Sequence, residues 1–414
     1  MLPAKSMLPK FMLAASVAVL ALGLVSAPAS ANDVALPTPL ADTFYDTPDD
    51  LTGFENGEII AVRAMPAPPS LFDVQTYQLQ FRSTDMYERP IAAVTTVLLP
   101  NNRRPNGPLL SVQDIVNAMG LDCAPSQQLY ASTTNVDIRS GSLTASQRPM
   151  LNGLLQQGWV LAIPDHLGPR SSYGAATLGG RISLDGIKAV QNFPAAKVAK
   201  SKVGLIGYSG GGMATAWATA LAPTYAPELS IAGSAYGGAP MNLIKMGEGL
   251  GINSAHPAFG LAFAAAMGLS REYPAEIPMW DNLTPTGKSL FTELQNACTN
   301  EILLAGLGHR ADEMTPDVGI FDDPAARKVV RANSLEFYPG IPDTAIFEWH
   351  SPIDNLIPVD SIDITNRRYC DAGVELVSVP AFSPDHLSSA VVGLPGALAW
   401  MNDRFAGVPA PSTC

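Results

Sequence analysis

Positive charge is scarce in this sequence of 414 residues, which holds 25 lysines and arginines against 37 aspartates and glutamates. Its formal net charge is −12 at pH 7. Nucleic acids and anionic membranes are recognised through clusters of positive charge. The composition therefore argues against nucleic acid as a partner and against membrane attachment by charge alone. Charged residues make up only 15% of the chain, a composition that suits a lipid-like substrate.

Motifs for the common cofactors are also missing. The sequence contains no His-Glu-x-x-His pair, no phosphate-binding loop and no dinucleotide-binding glycine pattern. Asp165 and His166 are adjacent, but no third metal ligand accompanies them. We therefore expect no metal and no cofactor, and nothing in the sequence indicates a stable protein partner.

Cysteine is rare, and none of the four cysteines belongs to a Cys-x-x-Cys pair. Their spacings are far too wide for a zinc knuckle. Two structural disulfides in an oxidising compartment are the natural interpretation. Spacing alone leaves all three pairings open for Cys123, Cys298, Cys370 and Cys414.

The start of the chain has the pattern of a targeting segment. Two lysines precede an apolar segment at residues 11–25, and Ala-Ser-Ala at 29–31 is typical of a cleavage site. The segment is short for a membrane span, and nothing later resembles a transmembrane helix. We expect residues 1–31 to be a signal peptide cleaved before Asn32. The product would then be released in soluble form, outside the cell or in the periplasm, with a net charge of 23 − 37 = −14.

After a proline-rich stretch that we interpret as an irregular strap, strand and helix patterns alternate. Residues 77–82 alternate apolar with polar side chains, which predicts a half-exposed strand. The alternation predicts a mostly parallel sheet covered by helices on both faces. Predicted strands lie at 92–99, 109–112, 159–163, 203–206, 229–233, 345–349 and 374–379, and predicted helices lie near 150–157, 173–191, 358–371 and 390–405.

The alternation stops at about residue 241 and resumes at 345. We interpret residues 241–335 as a helical cap inserted between two parts of the core, 32–240 and 336–414; the alternative is that they are additional core helices. Residues 257–268 are almost unbroken in small apolar character. An exposed patch of that kind usually marks a binding surface, so we expect this segment to line or cover the substrate site.

Residues 207–211, Gly-Tyr-Ser-Gly-Gly, follow an apolar strand pattern and precede a run of small residues. Strand, tight turn and helix with a serine at the tip are the nucleophile elbow of α/β-hydrolases; a glycine-rich structural turn is the alternative. Glycines leave room around the strained serine. The N–H of Gly210 would then point at a developing oxyanion.

Ser209 needs a base, and the base needs an orienting carboxylate. In α/β-hydrolases the order is serine, acid, histidine, each on a loop after a strand. His386 follows the last predicted strand and is the predicted base. Asp354 follows the preceding strand and is the predicted acid. The remaining candidates are worse placed by order or position: His166, His256, His309 and His350 among bases, and Asp343, Asp360 and Asp385 among acids.

The sequence resembles the secretory lipase family that includes lipase A of the Candida type. The resemblance covers most of the mature chain and is weakest in the strap and the cap. It rests on residues 207–211, Tyr-Ala-Pro-Glu-Leu at 225–229, Gly-Gly-Ala-Pro at 237–240, Leu-Asp-Cys-Ala-Pro-Ser at 121–126, Asp-His-x-Gly at 165–168, the Trp349, His350, Asp354, Pro358 spacing and Asp-His-Leu at 385–387.

The resemblance implies an α/β-hydrolase core with a cap and hydrolysis of carboxylic esters, often acylglycerols. It places the triad on Ser209, Asp354 and His386, and the oxyanion donors on Gly210 and Asn117. Members of the family have aspartate where Asn117 stands and glutamate where Leu167 stands. A backbone N–H donor at Asn117 would survive the first difference, although the pH behaviour of that loop could change.

Two further expectations follow. Cys370 and Cys414 lie at the ends of the last two predicted helices, so they can pair locally and leave Cys123 to pair with Cys298; the resemblance supports the same pairing.

Taken together, the motifs and the resemblance predict a secreted serine esterase or lipase. The alternatives are the same triad acting on a thioester or activated amide, and a non-catalytic hydrolase-fold protein that binds lipid.

Overall fold

A computed structural model of the chain describes residues 34–131, 147–251, 254–317 and 323–414. The predicted signal peptide, 1–31, lies outside these ranges. Within them, no helix combines the length and the apolar character that crossing a membrane requires.

The described residues form a nine-stranded sheet in the order β1-β2-β3-β5-β4-β6-β7-β8-β9. The first three strands and the β3–β5 pair are antiparallel, and all later pairs are parallel. The strands are β1 (Ile59–Met65), β2 (Val74–Thr84), β3 (Pro90–Pro100), β4 (Leu109–Gln113), β5 (Val160–Pro164), β6 (Val203–Tyr208), β7 (Ile231–Gly237), β8 (Ile346–His350) and β9 (Leu376–Pro380).

Helices cover the sheet and fill the connection between β7 and β8. In the described ranges the α-helices are α1 (Pro125–Gln128), α2 (Arg148–Gln156), α3 (Ala176–Asn192), α4 (Gly210–Tyr225), α5 (Leu243–Gly249), α6 (Phe259–Glu272), α7 (Pro285–Leu294), α8 (Thr299–Gly306), α9 (Ala311–Met314), α10 (Pro324–Ala332), α11 (Val359–Asp371) and α12 (His386–Ala406). Short 3-10 turns lie at Thr43–Tyr45, Leu121–Cys123, Pro194–Ala196, Trp280–Asn282 and Leu335–Phe337.

The sheet is buried on both faces, as a parallel sheet must be. One core packs α3 and α4 against strand residues such as Leu79 and Leu205. The other packs α2 and α12 against strand residues such as Leu110 and Ile206. This layered arrangement confirms the predicted fold class, an α/β-hydrolase core.

Two expectations about the first strands are wrong. The strap was expected to be irregular, but residues 59–65 pair with β2 as β1. The polar face of β2 was expected to be exposed, yet Gln78 and Gln80 are buried. The strap covers that face, because Gln80 Nε2 donates to the carbonyl oxygens of Phe44 and Asp46. The buried amides are thereby satisfied by a segment distant in the sequence.

Six α-helices, α5 to α10, lie between β7 and β8 among the described residues, and we call residues 238–345 the insertion. Residues 257–268 are mostly buried, since Phe259, Leu261 and Phe263 of α6 are each at most 6% exposed. The exposure that suggested a binding surface is absent, and the expectation that this segment lines or covers the substrate site stays a prediction. Small residues at 257–268 instead permit close packing; a Cβ at Gly260 would overlap the carbonyl oxygen of Ile302 in α8. The division into a cap at 241–335 and two core parts stays a prediction.

Two disulfides join the cysteines, Cys123 with Cys298 and Cys370 with Cys414. The first links the segment after β4 to the start of α8 in the insertion, across 175 residues of sequence. The second ties the last described residue to the end of α11, across 44 residues. Each pairing is the one expected from the sequence.

Candidate active site

Ser209 occupies the turn between β6 and α4, with φ of 55° and ψ of −121°. This left-handed backbone is strained for a residue with a side chain, and such strain is characteristic of a functional position. The flanking glycines make the turn possible: a Cβ at Gly211 would overlap the carbonyl oxygen of Gln113, and one at Gly207 would overlap that of Gly211. The serine is therefore held at the carboxyl edge of the sheet.

Two other side chains form a line with Ser209. Nε2 of His386 lies 2.8 Å from Ser209 Oγ, and Nδ1 of His386 lies 2.7 Å from Asp354 Oδ2. The side chains of His386 and Asp354 are buried, at 2% and 0% exposure. A buried carboxylate that accepts from Nδ1–H leaves Nε2 free to accept the serine proton. The structure thus brings together the three residues that chain order alone selected.

The acid is oriented by its own loop between β8 and α11. Asp354 Oδ1 accepts hydrogen bonds from the backbone N–H groups of Leu356 and Ile357, at 2.9 and 2.8 Å. Its other oxygen is then directed at the imidazole. The side chain of Asn355 accepts from the N–H of His386, at 3.0 Å. Acid loop and base are therefore joined at two points, which limits their relative motion.

The base is the first residue of α12, which begins four residues before the predicted start at 390. Asp385, the rival acid, is the N-cap of that helix and accepts from the N–H of Ser388 at 2.8 Å. This hydrogen bond lowers the pKa of Asp385. Because the carboxylate caps the helix, the structure does not direct it to the ring of His386.

Tyr208 contacts the candidate base, a contact that sequence reasoning missed. Its hydroxyl donates to the carbonyl oxygen of His386 at 2.5 Å, and its ring centroid lies 5.1 Å from that of the imidazole. Burial raises the pKa of Tyr208, so the hydroxyl stays protonated. The residue directly before the candidate nucleophile thereby contacts the candidate base through both its hydroxyl and its ring. Its position inside the Gly-x-Ser-x-Gly motif was the available signal.

The oxyanion candidates meet beside the serine. Gly210 is the first residue of α4, so its N–H is one of the unpaired donors at a helix N-terminus. Asn117 is 7% exposed, and its side chain lies directly over the Cα of Gly210. The loop that carries Asn117 is tied to the insertion: Met119 N–H donates to Ala297 at 2.8 Å, and the Thr299 hydroxyl donates to Asn117 at 3.2 Å.

The other histidines have structural partners. His350 is buried, and its Nδ1 lies 3.0 Å from both carboxylate oxygens of Glu348. Burial alone would lower the pKa of His350, but the hydrogen bond and charge of Glu348 outweigh it and raise the pKa. His166 is buried against the carbonyl oxygen of Asp114, and burial lowers its pKa. Neither histidine is placed by these contacts beside Ser209.

Asp165 is buried, and it accepts from both the N–H and the hydroxyl of Ser126, at 2.9 and 2.6 Å. Burial raises its pKa to about 7, although the hydrogen bonds from Ser126 oppose the shift. In the described ranges the closest approach to a metal-ligand cluster is Asp122 with Cys123 and Cys298. The two sulfurs of that cluster are bonded to each other, so they are not available as thiolates.

The site combines a serine on a strand-to-helix turn with a histidine and an aspartate aligned behind it, all on a mostly parallel sheet. These features define a serine hydrolase of the α/β-hydrolase class. The model of the secretory lipase family matches residues 134–413, and the chain belongs to that family. It is a carboxylic-ester hydrolase, and its family is one of secreted enzymes.

Similarity to known relatives extends over almost the whole chain. Lipase A of Arthroderma benhamiae is 30% identical over 402 residues, which span 93% of this chain and 83% of that protein. A secreted triacylglycerol lipase of Malassezia restricta is 30% identical over 388 residues, covering 90% of this chain and 81% of that protein. The closed structure of Candida antarctica lipase A superposes with a TM-score of 0.84 at 28% identity, covering 92% of this chain and 89% of that one.

Proposed function

We propose that this protein hydrolyses acylglycerol esters through an acyl-enzyme on Ser209. The observation that carries the proposal is the hydrogen-bonded line of Ser209, His386 and Asp354 at 2.8 and 2.7 Å. Triacylglycerol is favoured as the substrate because a relative that is 30% identical over 388 residues is a secreted triacylglycerol lipase.

In the first half-reaction Nε2 of His386 takes the Ser209 proton as Oγ attacks the ester carbonyl. Asp354 holds the imidazole by Nδ1 and stabilises its positive charge. The carbonyl oxygen becomes an oxyanion, which the N–H groups of Gly210 and Asn117 stabilise; one such donor contributes about 3–4 kcal/mol in comparable enzymes. His386 then gives its proton to the leaving alcohol. Water, deprotonated by the same imidazole, releases the fatty acid and restores the serine.

The side chain of Asn117 adds a second polar group to this oxyanion site. Its Oδ1 has no hydrogen-bond partner among the described residues, although it is buried. The O and N atoms of an amide are nearly indistinguishable in shape, so the reverse orientation is equally allowed. In that orientation the Nδ2 of Asn117 is a neutral donor near Gly210, where the aspartate of other members would supply a donor only when protonated.

Two predictions about the organisation of the chain belong to the same proposal. Residues 1–31 act as a signal peptide removed before Asn32, as their charge and apolar pattern predict. Residues 241–335 act as a cap over the site, which is consistent with a nucleophile that is only 7% exposed.

The deciding experiment is hydrolysis of p-nitrophenyl acetate, p-nitrophenyl palmitate and emulsified triolein by the secreted protein and by Ser209→Ala. We expect the substitution to lower turnover of every ester by several orders of magnitude, with an unchanged melting temperature. Near-normal turnover in the variant would refute the assignment of the nucleophile. Hydrolysis of p-nitrophenyl acetate without any hydrolysis of triolein would make the protein an esterase rather than a lipase.

A further inference from the structure

Large apolar side chains are exposed on the segments that carry the acid and the base. Ile353 is 67% exposed, Phe382 83%, Leu387 57% and Val391 74%. Ile353 precedes Asp354 in the chain, and Leu387 follows His386. We call Ile353, Phe382, Leu387 and Val391 the rim patch.

A hydrogen bond and a shared helix join the segments of the rim patch. The hydroxyl of Ser351 donates to the carbonyl oxygen of Ser383 at 2.8 Å, which ties the loop of Ile353 to the loop of Phe382. Leu387 and Val391 are four residues apart on α12, so their side chains lie on one face of the helix, one turn apart. The exposed side chains therefore lie on neighbouring segments that also carry the candidate acid and base.

The charges around the rim patch indicate which kind of surface it fits. Residues 369–403 contain no lysine or arginine, and neither do residues 351–366. Between Phe382 and Val391 the charged residue is Asp385, whose pKa is lowered by its hydrogen bond from Ser388. Anionic lipid would be repelled, since binding to such lipid depends on clustered basic residues. An uncharged ester surface matches the patch in both polarity and charge.

A second copy of the chain is a poorer occupant. Four side chains expose on the order of a few hundred Å² of apolar area, whereas a stable dimer needs about 800 Å² on each partner. A lipid surface needs no matching shape, so a patch of this size is enough for it.

We propose that the rim patch is the surface by which this enzyme contacts the uncharged surface of an aggregated lipid. This rests on the proposed function, since it names the physical form of the substrate at the same site. In this arrangement the loops of Asp354 and His386, which belong to the core, contact the lipid. The catalytic base then lies next to the ester layer. The insertion has its own exposed apolar pair, Leu304 at 67% and Leu307 at 58% on the C-terminal end of α8 and just beyond it, and that pair is the alternative contact.

The test measures binding without turnover, in the Ser209→Ala protein, to phosphatidylcholine vesicles. Phe382→Gln and Val391→Gln should each weaken vesicle binding about tenfold, because each removes one inserted apolar side chain. The matched controls are Phe72→Gln, at 68% exposure on the loop before β2, and Leu304→Gln, at 67%; both should bind as the parent does. Vesicles of phosphatidylglycerol should bind the parent protein more weakly than phosphatidylcholine vesicles.

A second measurement introduces a tryptophan into the rim patch and follows its fluorescence. Phe382→Trp keeps an aromatic ring and should give fluorescence that shifts to the blue and is quenched by brominated phosphatidylcholine, whereas Phe72→Trp should give neither change. In active protein, Phe382→Gln should lower the ratio of triolein to p-nitrophenyl acetate turnover at least tenfold, and Leu304→Gln should leave that ratio unchanged.

The proposal is overturned if Leu304→Gln weakens vesicle binding and the rim variants do not, or if no variant changes it and Phe382→Trp stays unquenched. A protein that bound vesicles through the rim patch but hydrolysed no ester would refute the proposed function alone. A protein that hydrolysed esters but whose vesicle binding was unchanged by the rim-patch substitutions would refute the role of the rim patch alone.

Discussion

The guanidinium of Arg271, in the insertion, donates a hydrogen bond of 2.8 Å to the carbonyl oxygen of Met119, two residues beyond the oxyanion candidate Asn117. The same guanidinium is 1% exposed and also donates to the carbonyl oxygens of Ala35, Arg170, Ser171 and Gln295. One side chain therefore joins the strap, the oxyanion loop, the loop after β5 and the insertion.

Replacing Arg271 by methionine should lower both stability and turnover. The variant leaves several buried carbonyl oxygens without donors, each worth about 1–3 kcal/mol, so we expect a loss on the order of 3–5 kcal/mol in the free energy of unfolding. The control is Arg104→Met, at an exposed position, which should change stability by less than about 0.5 kcal/mol. Urea unfolding measures the first effect.

The kinetic part of this prediction separates positioning from stability. Well below the melting temperature of Arg271→Met, we expect kcat for p-nitrophenyl acetate to fall about tenfold while KM changes little, because the loop of Asn117 loses an anchor and the oxyanion donors move. A variant that is less stable but keeps the parental kcat would show that Arg271 supports the fold alone.

The two aspartates next to the base give a matched pair of substitutions. Asp354→Asn should lower kcat by about 10⁴-fold, because an amide in that position favours the wrong tautomer of the imidazole. Asp385→Asn should retain most of the activity, since asparagine caps a helix about as well as aspartate. Steady-state kinetics on p-nitrophenyl butyrate decide between them. A greater loss in Asp385→Asn would mean that the acid has been assigned to the wrong loop.

Sequence order was enough to select three residues that the structure brings into hydrogen-bonding distance, because Ser209, Asp354 and His386 each follow a strand whose carboxyl end lies at one edge of the sheet. Arg271 had no comparable signal. It is a single basic residue in a helical segment, and its partners at Ala35 and Met119 are 236 and 152 residues away. The burial of Gln78 was missed for the same reason, since the strap that covers it comes from elsewhere in the chain.

The same limit applies to the exposure that was expected at residues 257–268. Composition gave the apolar character of α6 correctly, but it could not say whether a neighbour covers that helix. Gly260 and Gly306 bring α6 and α8 into close contact, and that packing buries the segment. Exposed apolar surface was found instead at Phe382 and Val391, in segments whose sequence is interrupted by proline, serine and aspartate.

The buried carboxyl of Asp165 should make stability depend on pH. Burial raises its pKa to about 7, from 3.8, so between these values the folded protein holds a proton that the unfolded chain releases. Stability from this group is therefore present at low pH and is lost as the pH rises towards about 7. Asp165→Asn should make the fall in melting temperature between pH 5 and pH 8 smaller.

Asparagine is a suitable replacement because its Oδ1 can still accept from the N–H of Ser126, and its Nδ2 can donate to the Ser126 hydroxyl. The control is Asp50→Asn: Asp50 is exposed and its pKa is lowered by hydrogen bonds from Thr52, so the pH dependence should stay close to that of the parent. A steeper fall in Asp165→Asn than in the parent would mean that the carboxyl is ionised and stabilising in the folded protein.

The two disulfides should differ in what their removal does. In the loop-entropy model, closing loops of 175 and 44 residues contributes about 5 and about 4 kcal/mol. Both double variants, Cys123→Ser/Cys298→Ser and Cys370→Ser/Cys414→Ser, should therefore melt at lower temperature. Only the first should also lose activity, because residues next to Cys298 hold the oxyanion loop: the carbonyl oxygen of Ala297 accepts from Met119 N–H and the hydroxyl of Thr299 donates to Asn117.

Melting curves and kcat/KM for p-nitrophenyl acetate, recorded well below each melting temperature, test the difference. We expect kcat/KM to fall about tenfold in Cys123→Ser/Cys298→Ser, since small displacements of oxyanion donors are costly, and to stay within twofold of the parent in Cys370→Ser/Cys414→Ser. Equal losses of activity would mean that the first bridge has no special role at the site. Peptide mapping of the unreduced protein checks the pairing itself, and a peptide that joined Cys123 to Cys370 or to Cys414 would contradict the arrangement on which the prediction depends.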